Sequence, residues 1–138
     1  MDNSMILVVD SDLTVAACMA EALATQGYTV HCHSGPRLTA DAVARLRPDL
    51  LIIDEWKINT DMIPLLERLR QCDQTRAVGV IVSSTDWRVL AEQATLLETL
   101  GCATLLKPFE LDLLFARVGN VLGHGCPVPA RQAERLYA

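Results

Sequence analysis

An α/β domain built on a parallel sheet is the fold class that this sequence predicts, and three observations carry it. Short apolar runs rich in branched residues recur along the chain: Ile6-Leu7-Val8-Val9, Leu50-Leu51-Ile52-Ile53 and Val80-Ile81-Val82. Runs of this length, apolar at consecutive positions, suit strands covered on both faces. Between them lie longer stretches with helical periodicity, and strict alternation of the two implies a parallel sheet with helices on both sides. Finally, two of the runs end in an acid, Asp10 and Asp54. An ionised carboxylate cannot lie unpaired inside a covered strand, which puts both at the carboxyl edge, where open parallel sheets bind ligands.

The elements follow in order. Met5 to Asp10 forms the first strand, Asp12 caps a helix from Leu13 to about Gln26, and Gly27 closes it. Tyr28 to His33 is a strand of weaker apolar character. Ser34-Gly35-Pro36 turns the chain into a helix from Arg37 to Arg47, which stops at Pro48. The central strand, Leu50 to Asp54, comes next. Asn59, Thr60 and Asp61 offer caps for a helix through Gln71, with Pro64 tolerated in its first turn. Val78 to Ser83 is the fourth strand. Asp86 caps a fourth helix with an apolar stripe of Leu90, Ala94 and Leu97, and Gly101 ends it. Val89, Leu96 and Leu100 lie off that stripe and offer either further core contact or a partner or dimer surface. Ala103 to Leu106 is the fifth strand, and Lys107-Pro108-Phe109 leads into a helix carrying Leu111, Leu114, Phe115, Val118 and Leu122 up to Gly123. Residues 1–123 read as one domain, and 124–138, with Pro127 and Pro129, as an irregular tail or truncated linker.

Right-handed crossovers leave few ways to arrange five strands and five helices, and the compact one is the flavodoxin-like (βα)5 three-layer sandwich with a five-stranded parallel sheet in order 2-1-3-4-5. In that order the first and third strands are neighbours. Asp10 and Asp54 therefore meet at one edge, and Ser83-Ser84-Thr85 and Lys107 stand at the ends of the two strands beside them.

Composition narrows the function. A 138-residue chain with net charge -5 and pI near 5.1 has no clustered Lys and Arg to neutralise phosphates, so no direct nucleic-acid contact is expected. Lys57 and Lys107 are its lysines. No apolar run reaches the length of a membrane span, and Met1-Asp2-Asn3-Ser4 lacks the features of a signal peptide, which suits a cytoplasmic protein. Cys18, Cys32, Cys72, Cys102 and Cys126 are irregularly spaced and read as reduced, mostly buried apolar residues. In His31-Cys32-His33, strand alternation puts the histidines and the cysteine on opposite faces, against a metal site.

The constellation of Ile6-Leu7-Val8-Val9-Asp10, Pro48-Asp49-Leu50-Leu51-Ile52-Ile53-Asp54, Val80-Ile81-Val82-Ser83-Ser84 and Lys107-Pro108-Phe109 resembles the receiver domain of two-component response regulators, over Met5 to about Leu122. By this resemblance Asp54 is the phosphoacceptor, Ser84 the switch hydroxyl, and Lys107 the phosphoryl-contacting lysine before a cis-proline. Asp10, Asp54 and the backbone carbonyl of Trp56 would hold Mg2+, with Asp12 reaching it through water. The resemblance further implies a sensor histidine kinase or phosphotransfer protein as donor and a downstream protein partner. Signalling or homodimerisation would use the surface of the fourth helix, fifth strand and fifth helix. Such a domain is no enzyme beyond self-phosphorylation and autodephosphorylation. The residue types agree: a carboxylate can take a phosphoryl group in line when charge on the transferring oxygens is neutralised, as Lys107 and a hard cation would do.

Several residues depart from the family pattern. Ser11 stands where a second acid is usual, which weakens the expected Mg2+ affinity. Ile58 replaces a proline, and Thr104 and Leu105 occupy the neighbourhood of an aromatic switch residue. These departures support an alternative, a degenerate receiver that binds partners independently of phosphorylation. Asp10-Ser11-Asp12-Leu13-Thr14 also fits the DxDxT pattern of haloacid-dehalogenase-like phosphohydrolases, but beyond Lys107 only Glu110 and Asp112 follow, on a helix.

Overall fold

A computed structural model describes residues 4–33, 38–54 and 62–123. Among them five strands alternate with helices: β1 Met5–Val9, α1 Leu13–Ala24, β2 Thr29–His33, α2 Ala40–Leu46, β3 Leu50–Asp54, α3 Ile63–Gln71, β4 Gly79–Ser84, α4 Trp87–Glu92, α5 Ala94–Thr99, β5 Cys102–Leu106 and α6 Leu111–Val121. All strand pairs are parallel and the order is β2-β1-β3-β4-β5, as the sequence predicts.

The consecutive apolar residues of β1 and β3 are needed because successive side chains enter opposite cores. Leu7, Val9, Leu51, Ile53, Val80 and Val82 pack with Ala40 and Val43 of α2, Leu66 and Leu69 of α3, Leu90 of α4 and Leu97 of α5. On the other face Ile6, Val8, Leu50, Ile52, Ile81 and Leu105 pack with Ala16, Met19 and Leu23 of α1 and Leu114 and Val118 of α6. At the sheet edge, β2 is largely exposed, which accounts for its weaker apolar character. Gly79 opens β4 where chain elements meet closely: a Cβ there would lie 2.6 Å from Val121 Cγ1 of α6 and 3.2 Å from Leu50 Cδ1.

The helices differ from expectation in three places. The helix expected from Arg37 begins at Ala40, capped by Thr39, whose Oγ1 accepts the Ala42 N–H at 3.1 Å; Arg37 lies outside the described residues. The expected single fourth helix turns at Gln93 (φ -97°, ψ 3°) into α4 and α5. Backbone bonds Gln93 N–H to Val89 O and Leu97 N–H to Gln93 O cross the break, so the axis bends without parting. The bend leaves both Leu90 and Leu97 buried in one core, with Val89 and Leu100 packed partly against it, while Leu96 stays exposed. Val89 and Leu100 are thus core contacts. The expected caps Asn59, Thr60 and Asp61 lie outside the described residues, and Pro64 occupies the first turn of α3.

Gly27 and Gly101 take left-handed backbones (φ 93° and 71°) where α1 and α5 end, the conformation for which glycine carries no Cβ penalty. Arg47 does the same at φ 51° after α2, without that freedom. At the amino edge of the sheet one guanidinium ties several turns together. Arg70 of α3 donates to Leu100 O (2.7 Å), Val78 O (2.6 Å) and Arg76 O (2.9 Å).

The expectation of mostly buried cysteines is corrected. Cys18 and Cys32 are exposed, Cys72 and Cys102 half-buried, and all four are free; Cys126 lies outside the described residues. No described helix is long and apolar enough to cross a membrane.

Candidate phosphoacceptor site

The strand register sets up the site before any side chain acts. Val9 of β1 lies opposite Ile53 of β3, so Asp10 and Asp54, the next residues, leave the sheet side by side. Asp54 is level with Ser83 of β4. Lys107 follows β5, and its N–H donates to Ser84 O at 2.8 Å, extending the ladder by one bond to the carboxyl edge. The Lys107–Pro108 peptide is cis, as the resemblance implies.

Asp10, Asp54 and Lys107 converge. Lys107 Nζ donates to Asp10 Oδ2 at 2.8 Å and to Asp54 Oδ1 at 2.9 Å, bridging carboxylates that would otherwise repel. Asp10 is almost fully buried, and its other oxygen, Oδ1, accepts the Asp12 N–H at 2.9 Å. Burial works against the Lys107 ammonium, but the bonds and charges of Asp10 and Asp54 outweigh it and hold its pKa above the ordinary lysine value.

Ser84 is buried at the end of β4, joined to Lys107 through its carbonyl. Its Oγ accepts the Asp86 N–H at 3.0 Å, and the Asp86 carboxylate accepts the Arg88 N–H at 2.9 Å to cap α4. The sequence identified Asp86 as a cap but not as a partner of Ser84. The signal was the Ser-x-Asp spacing, in which a hydroxyl takes the N–H two residues on. Asp12 caps α1, its Oδ1 accepting the N–H groups of Thr14 (3.0 Å) and Val15 (3.2 Å). Trp56 lies outside the described residues.

Magnesium favours several oxygen ligands in an octahedral set. Among the described residues no three His, Cys, Asp or Glu side chains gather for a metal. Each of the two converging acids already gives an oxygen to Lys107, position 11 is a serine, and Asp12 is engaged in the first turn of α1. The described side chains alone therefore offer too few free carboxylate oxygens for an octahedral set. What they do provide is a carboxylate, Asp54, about one-fifth exposed at the rim and held by a cation.

No family model matches the chain. The regulatory protein AtoC of Escherichia coli is 30% identical to it over 112 residues, covering 79% of this chain and 23% of AtoC. The response regulator MprA of Mycolicibacterium vanbaalenii is 31% identical over 127 residues, covering 88% of this chain and 52% of MprA. The chain thus spans about half the length of MprA and less of AtoC. The chemotaxis protein CheY4 of Vibrio cholerae superposes with a TM-score of 0.74 over 87% of this chain and 99% of its own, at 19% identity, a likeness of fold. With the 2-1-3-4-5 parallel sheet and the matches to response regulators, this chain belongs to the receiver domains of two-component response regulators.

Proposed function

We propose that Asp54 is the phosphoacceptor of this receiver, taking its phosphoryl group from a sensor histidine kinase or phosphotransfer protein. The observation that carries this reading is the Lys107 bridge, 2.9 Å to Asp54 and 2.8 Å to Asp10. An Asp54 oxygen attacks phosphorus as the P–N bond to the donor imidazole breaks; the imidazole departs with the electron pair and takes up a proton. Lys107 offsets charge on the transferring oxygens, and Asp10 holds Lys107 in place. Ser84 Oγ, which donates to Asp86 O at 3.4 Å, can then turn its proton to a phosphoryl oxygen, loosening the start of α4 and passing the change to the α4, α5, β5 and α6 surface, where a downstream protein or a second copy would bind. The domain acts as a phosphoacceptor within residues 1–123, in the cytoplasm, with Mg2+ affinity weakened by Ser11.

Incubation with acetyl phosphate and magnesium, followed by intact-mass analysis, tests this. One added phosphoryl group is expected, absent in Asp54→Ala. No adduct with any donor overturns the reading.

A second reading, a phosphorylation-independent interaction module, draws on Ser11 and on Leu105, which is fully buried in β5 near the place of an aromatic switch. It requires that Asp54→Asn leave partner binding unchanged.

A further inference from the structure

On the edge of the sheet away from Asp54, an open pocket of about 880 Å³ lies between the end of α2 and the turn after α3, lined by Asp41, Ala44, Arg45, Arg47, Pro48 and Gln74. Two guanidiniums stand there against one carboxylate, in a chain whose net charge is -5. Other arginines of this edge are engaged: Arg70 donates to backbone carbonyls, and Arg76 pairs with Asp73. Among the described residues Arg45 and Arg47 have neither a hydrogen-bond nor an ion-pair partner, although Asp41 stands one helical turn before Arg45. Arg45, in the last turn of α2, complements the helix dipole. Arg47 lies beyond that turn and needs another reason. Its backbone is left-handed (φ 51°, ψ 51°), where glycine would carry no penalty, and the proline that follows favours extended angles at this position. Strain of this kind is held at ligand clamps, where the side chain it carries is needed.

We infer that this pocket binds an organic phosphate of nucleotide size, at a site separate from the phosphoacceptor and independent of its role. Guanidinium forks match phosphate oxygens two at a time, and a phosphate dianion balances Arg45 and Arg47 together. Asp41 accepts from hydroxyl or amino groups of the ligand, and the Gln74 amide serves either a donor or an acceptor. Ala44 and Pro48 supply an apolar wall for a ring. A few polar groups that fix orientation beside an apolar wall are the usual makings of a small-molecule site, and the volume is far more than inorganic phosphate fills.

Calorimetric titration of the whole chain with adenosine monophosphate, adenosine, inorganic phosphate and citrate tests it. Adenosine monophosphate should give a saturable isotherm, and the other three should each bind at least about tenfold more weakly, since each lacks part of what the pocket recognises. Arg45→Gln and Arg47→Gly should each weaken adenosine monophosphate by at least about tenfold. Arg68→Gln, which removes an exposed guanidinium outside the pocket, and Asp54→Ala, at the opposite edge, should leave it unchanged. Arg47→Gly should melt no lower than the unsubstituted chain, so that its loss of ligand is not a loss of fold. Unaltered binding in Arg47→Gly, or binding that disappears in Asp54→Ala, overturns the inference. So does citrate or inorganic phosphate binding as tightly as the nucleotide, or no saturable isotherm with millimolar adenosine monophosphate.

Discussion

Lys107 neutralises two acids at once, and its removal is felt in the folded state before any chemistry. Lys107→Met leaves Asp10, almost wholly buried, beside Asp54 with no cation between them. Breaking a fully buried pair costs about 3–5 kcal/mol; with Asp54 one-fifth exposed, a loss on the order of 2 kcal/mol is expected from urea unfolding. The same residue sets an alkaline limit. Because its pKa is raised on folding, its contribution is fully present below the ordinary value of 10.5 and is lost as pH rises through the higher folded value. Melting temperatures taken above pH 10.5 should therefore fall more steeply for the unsubstituted chain than for Lys107→Met. Asp10, Asp54 and Lys107 were legible in the sequence because each terminates a strand run, and strand order alone brings such ends together. The direction of the Ser84 hydroxyl was not, since it depends on a local turn with Asp86 that strand spacing does not specify.

At the level of elements, close approaches and unusual backbone angles decide which substitutions matter. Gly79→Ala should cost about 1–3 kcal/mol, because Val121 Cγ1 stands 2.6 Å from the new methyl and α6 must shift or the side chain must turn. Val121→Ala in the same chain should recover part of that loss, read as a coupling in a double-mutant cycle. Arg47 carries a left-handed backbone that glycine would adopt without penalty, so Arg47→Gly should stabilise by up to about 1 kcal/mol in chemical denaturation. The helix ends at Gly27 and Gly101 were legible because glycine announces that conformation. Arg47 gave no such signal, and neither did the bend at Gln93. Apolar spacing predicts which residues face the core, here Leu90 and Leu97, but is the same for a straight helix and a bent one.

For the molecule as a whole, the sheet is a partition between two cores that share no side chains. Ile53→Val on one side and Ile6→Val on the other should each cost about 0.5–1.5 kcal/mol, and the double mutant should show the sum to within about 0.5 kcal/mol in urea unfolding. A large departure from additivity would mean that the layers communicate through the strands. The Arg70 guanidinium, at the edge away from Asp54, holds carbonyls from the approach to β4 and the approach to β5. Those two strands enter the sheet from a common anchor, so their far tips, bearing Ser84 and Lys107, move like blades fixed at the same handle. Amide protons near Val78 and Gly101 should therefore exchange slowly with deuterium whether or not the opposite rim is occupied, and Arg70→Leu should speed that exchange at both places together.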